Sequence, residues 1–300
     1  MVRLQEHLEK LGHRVAVVPE TATIIFRGAG RPKTTSRSEL LKYQQAILRT
    51  QLALEDNFCA LAAEENAIVL TDRSVMDGKA FLTPAEWQAV LDDMKLDEYQ
   101  MLHRYDAVVH LITAADGARG AYRLEGVRNE TPEEAVEQDR ALQQVYLGHG
   151  HFKIIDNSSD FDEKMRRAVA EICRFLGEPE PLEMERKFLV RAPAALPEES
   201  VSSWIEQTYL ESLESEEGSE RRVRKRTHKA SSIYSYAHKQ VISPGVKIEK
   251  ERSTTGREYL ELLQHADANR LTIRKRRHCF IHDRRCYELD EYTGPLHGLW

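Results

Sequence analysis

The period of the hydrophobic pattern changes once along this 300-residue chain, at the acidic, Pro-containing stretch GEPEP, residues 177–181. Before it, short apolar runs alternate with helical patterns. After it, residues alternate in character at every second position. A β-strand repeats every two residues and a helix every 3.6, so one segment cannot satisfy both. The chain is therefore expected to form a domain at 1–177, a linker at 178–181 and a second domain at 182–300. Its length suits two domains, each able to bury a core.

In the first part, LQEHLEKL places Leu4, Leu8 and Leu11 at helical spacing, and RVAVVPE is a buried strand. Residues 38–64 form a long helical pattern, followed by the strand NAIVLTDR. Thr83, Pro84 and Glu86 spell a capping box with proline at the first helical position. DAVVHLITA is a third strand, a helix starts at Thr131, HFKIIDN is a fourth strand, and a last helix closes at Gly177. This alternation predicts an α/β fold with a parallel sheet covered by helices. In the second part, SWIEQTYLES, ERRVRKRT, IYSYAHKQV, VKIEKERS, LTIRKRRHCFI and RRCYELDEY follow EMERKFLV as strands, with one helix near GREYLELLQHAD. They predict an antiparallel sheet or barrel with a single inserted helix.

Composition excludes several classes. No run approaches the ~20 apolar residues of a membrane span, and the N-terminus is too polar for a signal peptide. Cys59, Cys173, Cys279 and Cys286 form no CxxC pair and read as reduced thiols, so a cytoplasmic protein is expected. The net charge is −6, yet residues 220–290 hold 18 Lys/Arg against 9 Asp/Glu. Such a block is either a local anion site or a solvated mixed surface. Nucleic acid is not expected, because the basic strands carry no interleaved aromatic platform and no reading helix.

In open α/β sheets ligands sit beyond the carboxyl ends of the strands. Those ends carry Glu20; Asp72, Arg73 and Asp77; and Asp156 and Asn157. An Asp there either orders a magnesium ion for phosphoryl transfer or caps the next turn. Arg119, Arg123 and Arg128 lie in one Gly-containing loop, which either closes over phosphates or is solvated. The stretches VPETATIIF, LTDRSVMDGKAF and 128–169 resemble, in order, the AAA-type P-loop domain of nicotinamide riboside kinase-like proteins and the TRPL translocation defect protein family. The DRS step also resembles deoxynucleoside kinases. The resemblance implies binding of GTP or ATP, with Asp72, Arg73, Asp77, Arg119, Arg123 and Arg128 as nucleotide-binding candidates. The chain departs from it in having no G-x-x-x-x-G-K-[ST] loop; RGAGRPKTT, residues 27–35, lacks that spacing. Without the loop there is no backbone cradle for tight NTP binding. The α/β domain is therefore expected to be truncated.

In the second part, RRVRKR places Arg222, Arg224 and Arg226 on one face, and IRKRR does the same for Arg274 and Arg276. Glu183, Glu185 and Lys187 share a face, as do Glu249 with Glu251 and Glu288 with Asp290; Lys239 adds a further cation. RRVRKR is charged on both sides, so a sheet with one solvated face leaves a poor core, with Phe188, Val190 and Ile273 as apolar contributors. A closed barrel with a wet, charged lumen removes that problem. Such a lumen suits a polyphosphate with divalent metal, since guanidinium and ammonium neutralise phosphate while carboxylates hold Mg²⁺ or Mn²⁺.

EMERK is the E-x-E-x-K signature of the CYTH superfamily, the triphosphate tunnel metalloenzymes. RVRKR, HKQ, IEKE, IRKRR and YELDEYTGPLHGLW follow in that family's order. The resemblance implies that Lys187, Arg222, Arg224, Arg226, Lys239, Arg274 and Arg276 bind phosphate. It implies metal ligation, by Mg²⁺ or Mn²⁺, at Glu183, Glu185, Glu249, Glu251, Glu288 and Asp290. Family members usually continue into a last strand with another acidic pair; here a tunnel lacking that strand, and weak metal binding, are expected. The two resemblances together imply a nucleotide-binding protein coupled to a domain for polyphosphate or phosphoinositide headgroups. They also imply peripheral membrane contact and a role in membrane-protein trafficking. The alternatives are a magnesium-dependent triphosphatase and a nucleoside or nicotinamide riboside kinase-like enzyme.

Overall fold

The computed structural model describes residues 1–30, 36–122, 130–177, 188–211, 219–243 and 246–300, with the backbone alone between 240 and 249. In chain order the elements are α1 (Val2–Lys10), β1 (Val15–Val18), α2 (Thr21–Ala29), α3 (Arg37–Glu65), β2 (Ile68–Thr71), α4 (Pro84–Met94), α5 (Glu98–Leu102), β3 (Val108–Leu111), α6 (Pro132–Val145), β4 (Phe152–Ile155) and α7 (Phe161–Leu176). Then come β5 (Val201–Leu210), β6 (Ser219–His228), β7 (Ser231–Ser243), β8 (Val246–Thr254), α8 (Gly256–Leu262), β9 (Ile273–His282) and β10 (Arg285–Tyr292). Two compact units result: Met1–Met101 with Ile112–Val145, and Leu102–Leu111 with Tyr146–Trp300.

In the first unit, β1 and β2 pair in parallel, with Val18 opposite Thr71. The helices start where their caps predict. Ser36 accepts from the Glu39 N–H ahead of α3, and Thr83 with Glu86 closes a full capping box on α4. Thr131 and Glu134 exchange the same two bonds ahead of α6, at 2.8 and 3.2 Å. Each pair satisfies N–H groups that a helix start otherwise leaves open. α1 buries Leu4 and Leu8, whereas Leu11 lies past its end and is exposed. The run TATIIFRGA carries no clear period, and it folds as helix α2.

In the second unit, β3 and β4 also pair in parallel, from Val108 opposite Phe152 to Leu111 opposite Ile155. Helix α7 begins on Asp160, whose side chain accepts from the Glu163 N–H, and ends at Gly177 with φ of +83°, a left-handed cap that suits glycine. The remaining strands form one six-stranded antiparallel sheet in the order β10-β9-β5-β6-β7-β8. The described residues show no pairing between β10 and β8.

One face of this sheet is apolar near α8. Leu210, Val223 and Tyr259 are buried together, with Tyr234, Tyr236, Leu262 and Leu263 packed around them. RRVRKR does carry charge on both sides, with Arg221 and Lys225 flanking Val223, yet Val223 is fully buried and joins this apolar cluster. Its neighbour Arg221 donates to the Glu211 carbonyl. Phe188 and Val190 are exposed and outside any strand, so they do not build the core. The rest of the expected first strand, including Glu183, Glu185 and Lys187, lies outside the described residues.

Candidate functional site

Two polar constellations stand out. The first lies at the carboxyl ends of β1 and β2. Glu20 follows β1, and Asp72, Arg73 and Asp77 follow β2. Arg73 reaches Glu20 Oε1 at 3.7 Å and Asp77 Oδ2 at 3.5 Å, longer than hydrogen bonds. Asp72 is exposed. Ser74 Oγ lies 3.3 Å from Asp77 Oδ1 and accepts the Met76 N–H, forming the turn out of the strand. The parallel pairing of β1 with β2 is what brings Glu20 beside a DRS step fifty residues downstream.

The second constellation is the other face of the six-stranded sheet. Register places Arg222, Arg224 and Arg226 opposite Tyr209, Gln207 and Ile205 of β5. Gln207 and Ile205 in turn face Ile273 and Lys275 of β9, and Ser203 faces Arg277. Arg277 pairs with Asp290, Cys279 with Glu288. On the other side, Arg222 faces Ala237, which faces Glu251, and Glu220 faces Lys239. Paired residues project to one side of a sheet. One face therefore carries the cations Arg222, Arg224, Arg226, Lys239, Lys275 and Arg277 and the carboxylates Glu220, Glu251, Glu288 and Asp290 among the described residues.

This face is largely withdrawn from water, so its charges are partnered. Arg277 grips Asp290 through Nε at 2.7 Å and through its terminal nitrogen at 2.8 Å. It also reaches Glu288 at 2.5 Å. Lys275 Nζ lies 2.5 Å from Asp290. Arg224 meets Glu251 at 3.4 Å and donates to Gln207 at 3.2 Å, while Ser235 donates to Glu251 at 2.6 Å. Arg226, 5% exposed, donates to the Gly148 carbonyl at 3.0 Å. Burial, aided by the charge of Arg277, pushes the Lys275 ammonium down to about 8, against the pull of Asp290. Burial works to raise Asp290, but the hydrogen bonds and charge of Arg277 and Lys275 hold it at about 2. Burial also lowers Arg224, with the charges of Arg222, Arg226 and Arg277 in the same direction and Glu251 opposing.

Comparison with known families bears on the part of the chain that holds the first constellation. The profile of the AAA domain matches residues 3–164, more than half of the chain. The chain belongs to the AAA domain family. This is a P-loop NTPase-like class, so a nucleotide-related function follows for it. No curated protein matches the chain. No helix among the described residues is long and apolar enough to cross a membrane.

Within this AAA protein the predicted site residues divide. Asp72, Arg73 and Asp77 stand together with Glu20 at the strand ends. Arg119 is occupied by Glu133 at 2.8 Å on the surface. Arg123 and Arg128 lie outside the described residues. Asp156, at the end of β4, is engaged by Ser158 at 2.6 Å and by Arg167 of α7 at 2.9 Å. Of the phosphate-binding candidates, Arg222, Arg224, Arg226 and Lys239 share one face. Arg274 and Arg276 do not, since they pair with Glu206 and Trp204 on the opposite side. There Arg274 lies 3.4 Å from Glu206, and the Arg276 guanidinium sits 5.9 Å from the Trp204 ring centre. The arginine face receives Lys275 and Arg277 instead. IRKRR is charged at four consecutive positions and the apolar residues beyond it, Cys279, Phe280 and Ile281, are consecutive too, so alternation leaves its phase open.

Of the expected metal ligands, Glu251, Glu288 and Asp290 share the arginine face, while Glu183, Glu185 and the Glu249 side chain lie outside the described residues. No group of three or more His, Cys, Asp or Glu among the described residues is arranged to hold a metal ion. Glu251, Glu288 and Asp290 do not fit one by themselves, because each already neutralises an arginine or lysine.

Proposed function

We propose that this chain couples a nucleotide-directed AAA domain to a phosphoanion-binding sheet of the CYTH tunnel type. The AAA domain would take GTP or ATP at its strand ends. The sheet would take a polyphosphate or a phosphoinositide headgroup, and the latter would bring the protein to a membrane surface. The observation that carries the sheet reading is the withdrawn Arg224 guanidinium on a cation-rich face. Arg224 shares that face with Arg222, Arg226, Lys239, Lys275 and Arg277 among the described residues. The Nε of Arg224 is buried without a hydrogen-bond partner among them. A buried donor of this kind is costly unless a ligand or water satisfies it. Phosphate oxygens accept from guanidinium with short, charge-assisted bonds.

The test is titration calorimetry with tripolyphosphate and with inositol trisphosphate, using Arg224→Gln and Arg276→Gln. Losing a charge-assisted bond costs about 1.5–3 kcal/mol, or roughly 10- to 100-fold in affinity. Arg224→Gln should lose that much and Arg276→Gln, on the opposite face, should lose little. Equal effects of the two variants, or no binding of either anion by the parent chain, would reject the reading. Flotation with vesicles containing phosphatidylinositol bisphosphate separates a lipid headgroup from a free polyphosphate. Magnesium-dependent phosphate release from tripolyphosphate would move the assignment to a hydrolase.

A further inference from the structure

Arg73 has a φ of +87°. Residues with a Cβ rarely adopt this left-handed region, and such strain persists only where the surroundings impose it. Here the surroundings are visible. The Arg73 carbonyl accepts from Thr71 Oγ1 at 2.7 Å and from Gln51 Nε2 at 3.3 Å. Gln51 is 2% exposed and comes from the middle of α3. Its amide nitrogen also lies 3.0 Å from Thr71 Oγ1 and 2.9 Å from Glu55 Oε1. Its amide oxygen accepts from the buried hydroxyl of Thr21, the first residue of α2.

One buried amide thus ties together the start of α2, the end of β2 and the strained residue after it. Burying Thr21, Gln51 and Glu55 together costs desolvation that an apolar trio of the same size would avoid. The return is geometric. With its backbone held left-handed, Arg73 keeps its guanidinium between Glu20, after β1, and Asp77, one turn further on. We infer that Gln51 is a positioning residue for Arg73, holding it by its carbonyl so that the guanidinium is pre-set at the strand ends where nucleotide phosphate or hydroxyl groups would be received. The functional half of this inference rests on the nucleotide reading above; the positioning half rests on the contacts alone.

A double-mutant cycle on the full chain tests the positioning. Arg73→Gly relieves the left-handed strain and should raise Tm by about 2–4 °C. In a Gln51→Leu background the clamp is gone, and the same glycine should give little or no gain. Additive effects overturn the inference. Should Gln51→Leu fail to fold, Thr71→Val, which removes the other donor to the same carbonyl, takes its place in the cycle. A second readout separates positioning from general loosening. Phenylglyoxal modification of Arg73, measured by peptide mass spectrometry against the exposed Arg257 in the same sample, should speed up severalfold in Gln51→Leu. An unchanged ratio of the two rates overturns the inference.

Magnesium-ATP and magnesium-GTP titrations form the third arm. Binding by the parent chain that falls tenfold or more in Gln51→Leu supports the inference, whereas equal binding overturns its functional half. If the parent chain binds neither nucleotide, the nucleotide reading fails, and the cycle and the modification ratio still decide whether Gln51 positions Arg73.

Discussion

Lys275 and Arg277 are two residues apart on one strand, share Asp290, and should respond oppositely to removal. Lys275 is 12% exposed at its side chain, and its folded-state pKa falls from 10.5 to about 8. At 1.36 kcal/mol per unit, carrying its charge in the fold costs about 3 kcal/mol. The sign follows from proton linkage. Below about 8 both folded and unfolded chains are protonated and the cost is present in full. Between about 8 and 10.5 the unfolded chain binds the proton more tightly, so stability rises with pH. Above 10.5 the contribution is gone. Lys275→Met should therefore be more stable than the parent at pH 7 by roughly 1–3 kcal/mol, a net figure that already includes the opposing pull of Asp290. Arg277 still holds Asp290 by two bonds in that variant. Urea unfolding at pH 7, 8.5 and 10 measures this, and the gap should narrow across the series. Arg277→Met, by contrast, leaves Asp290 and Glu288 short of their main partner and should cost about 3–5 kcal/mol at pH 7. A Lys275→Met protein that is less stable than the parent at pH 7, or whose gap is unchanged at pH 10, would refute the reasoning. If the cation-rich face serves an anion, the same substitution should weaken tripolyphosphate binding while it stabilises the fold.

Two further outcomes are expected. Gly148 has φ of +91°, and an added Cβ would sit 3.3 Å from a Val201 methyl, so Gly148→Ala should cost more than 1 kcal/mol in chemical denaturation. Val223 is fully buried whereas Phe188 is 74% exposed; Val223→Ala should lose roughly 2 kcal/mol and Phe188→Ala should stay within about 0.5 kcal/mol, a ranking that a thermal melt reads directly.

Most of the elements were legible in the sequence because their determinants are local; α2 and α5 were not. Thr83 with Glu86, Thr131 with Glu134, Asp160 and Gly177 announce helix ends through bonds made within a few residues. The apolar runs around Val17, Val69, Val109 and Ile154 announce strands in the same way. The DRS step and Glu20 could be named as strand-end groups on that basis. Their meeting could not, because it depends on β1 choosing β2 as its parallel neighbour. The strain at Arg73 and its clamp by Gln51 left no sequence signal; a glutamine inside a long helical pattern is unremarkable until burial and partners are known.

The sheet shows the division most clearly. Alternation determined that strands 219–228, 231–243 and 273–282 would form, and that Arg222, Arg224 and Arg226 would share a face. It could not determine the phase of Arg274-Lys275-Arg276-Arg277, where all four positions are charged and period two has two equal solutions. Tertiary structure decided it. Pairing with β5 sets Ile205 against Lys275 and Trp204 against Arg276, turning Lys275 and Arg277 toward the arginines and leaving Arg274 and Arg276 on the other face. A strand carries its own period, but only its neighbours supply the register, and one residue of register exchanges every side chain between the two faces.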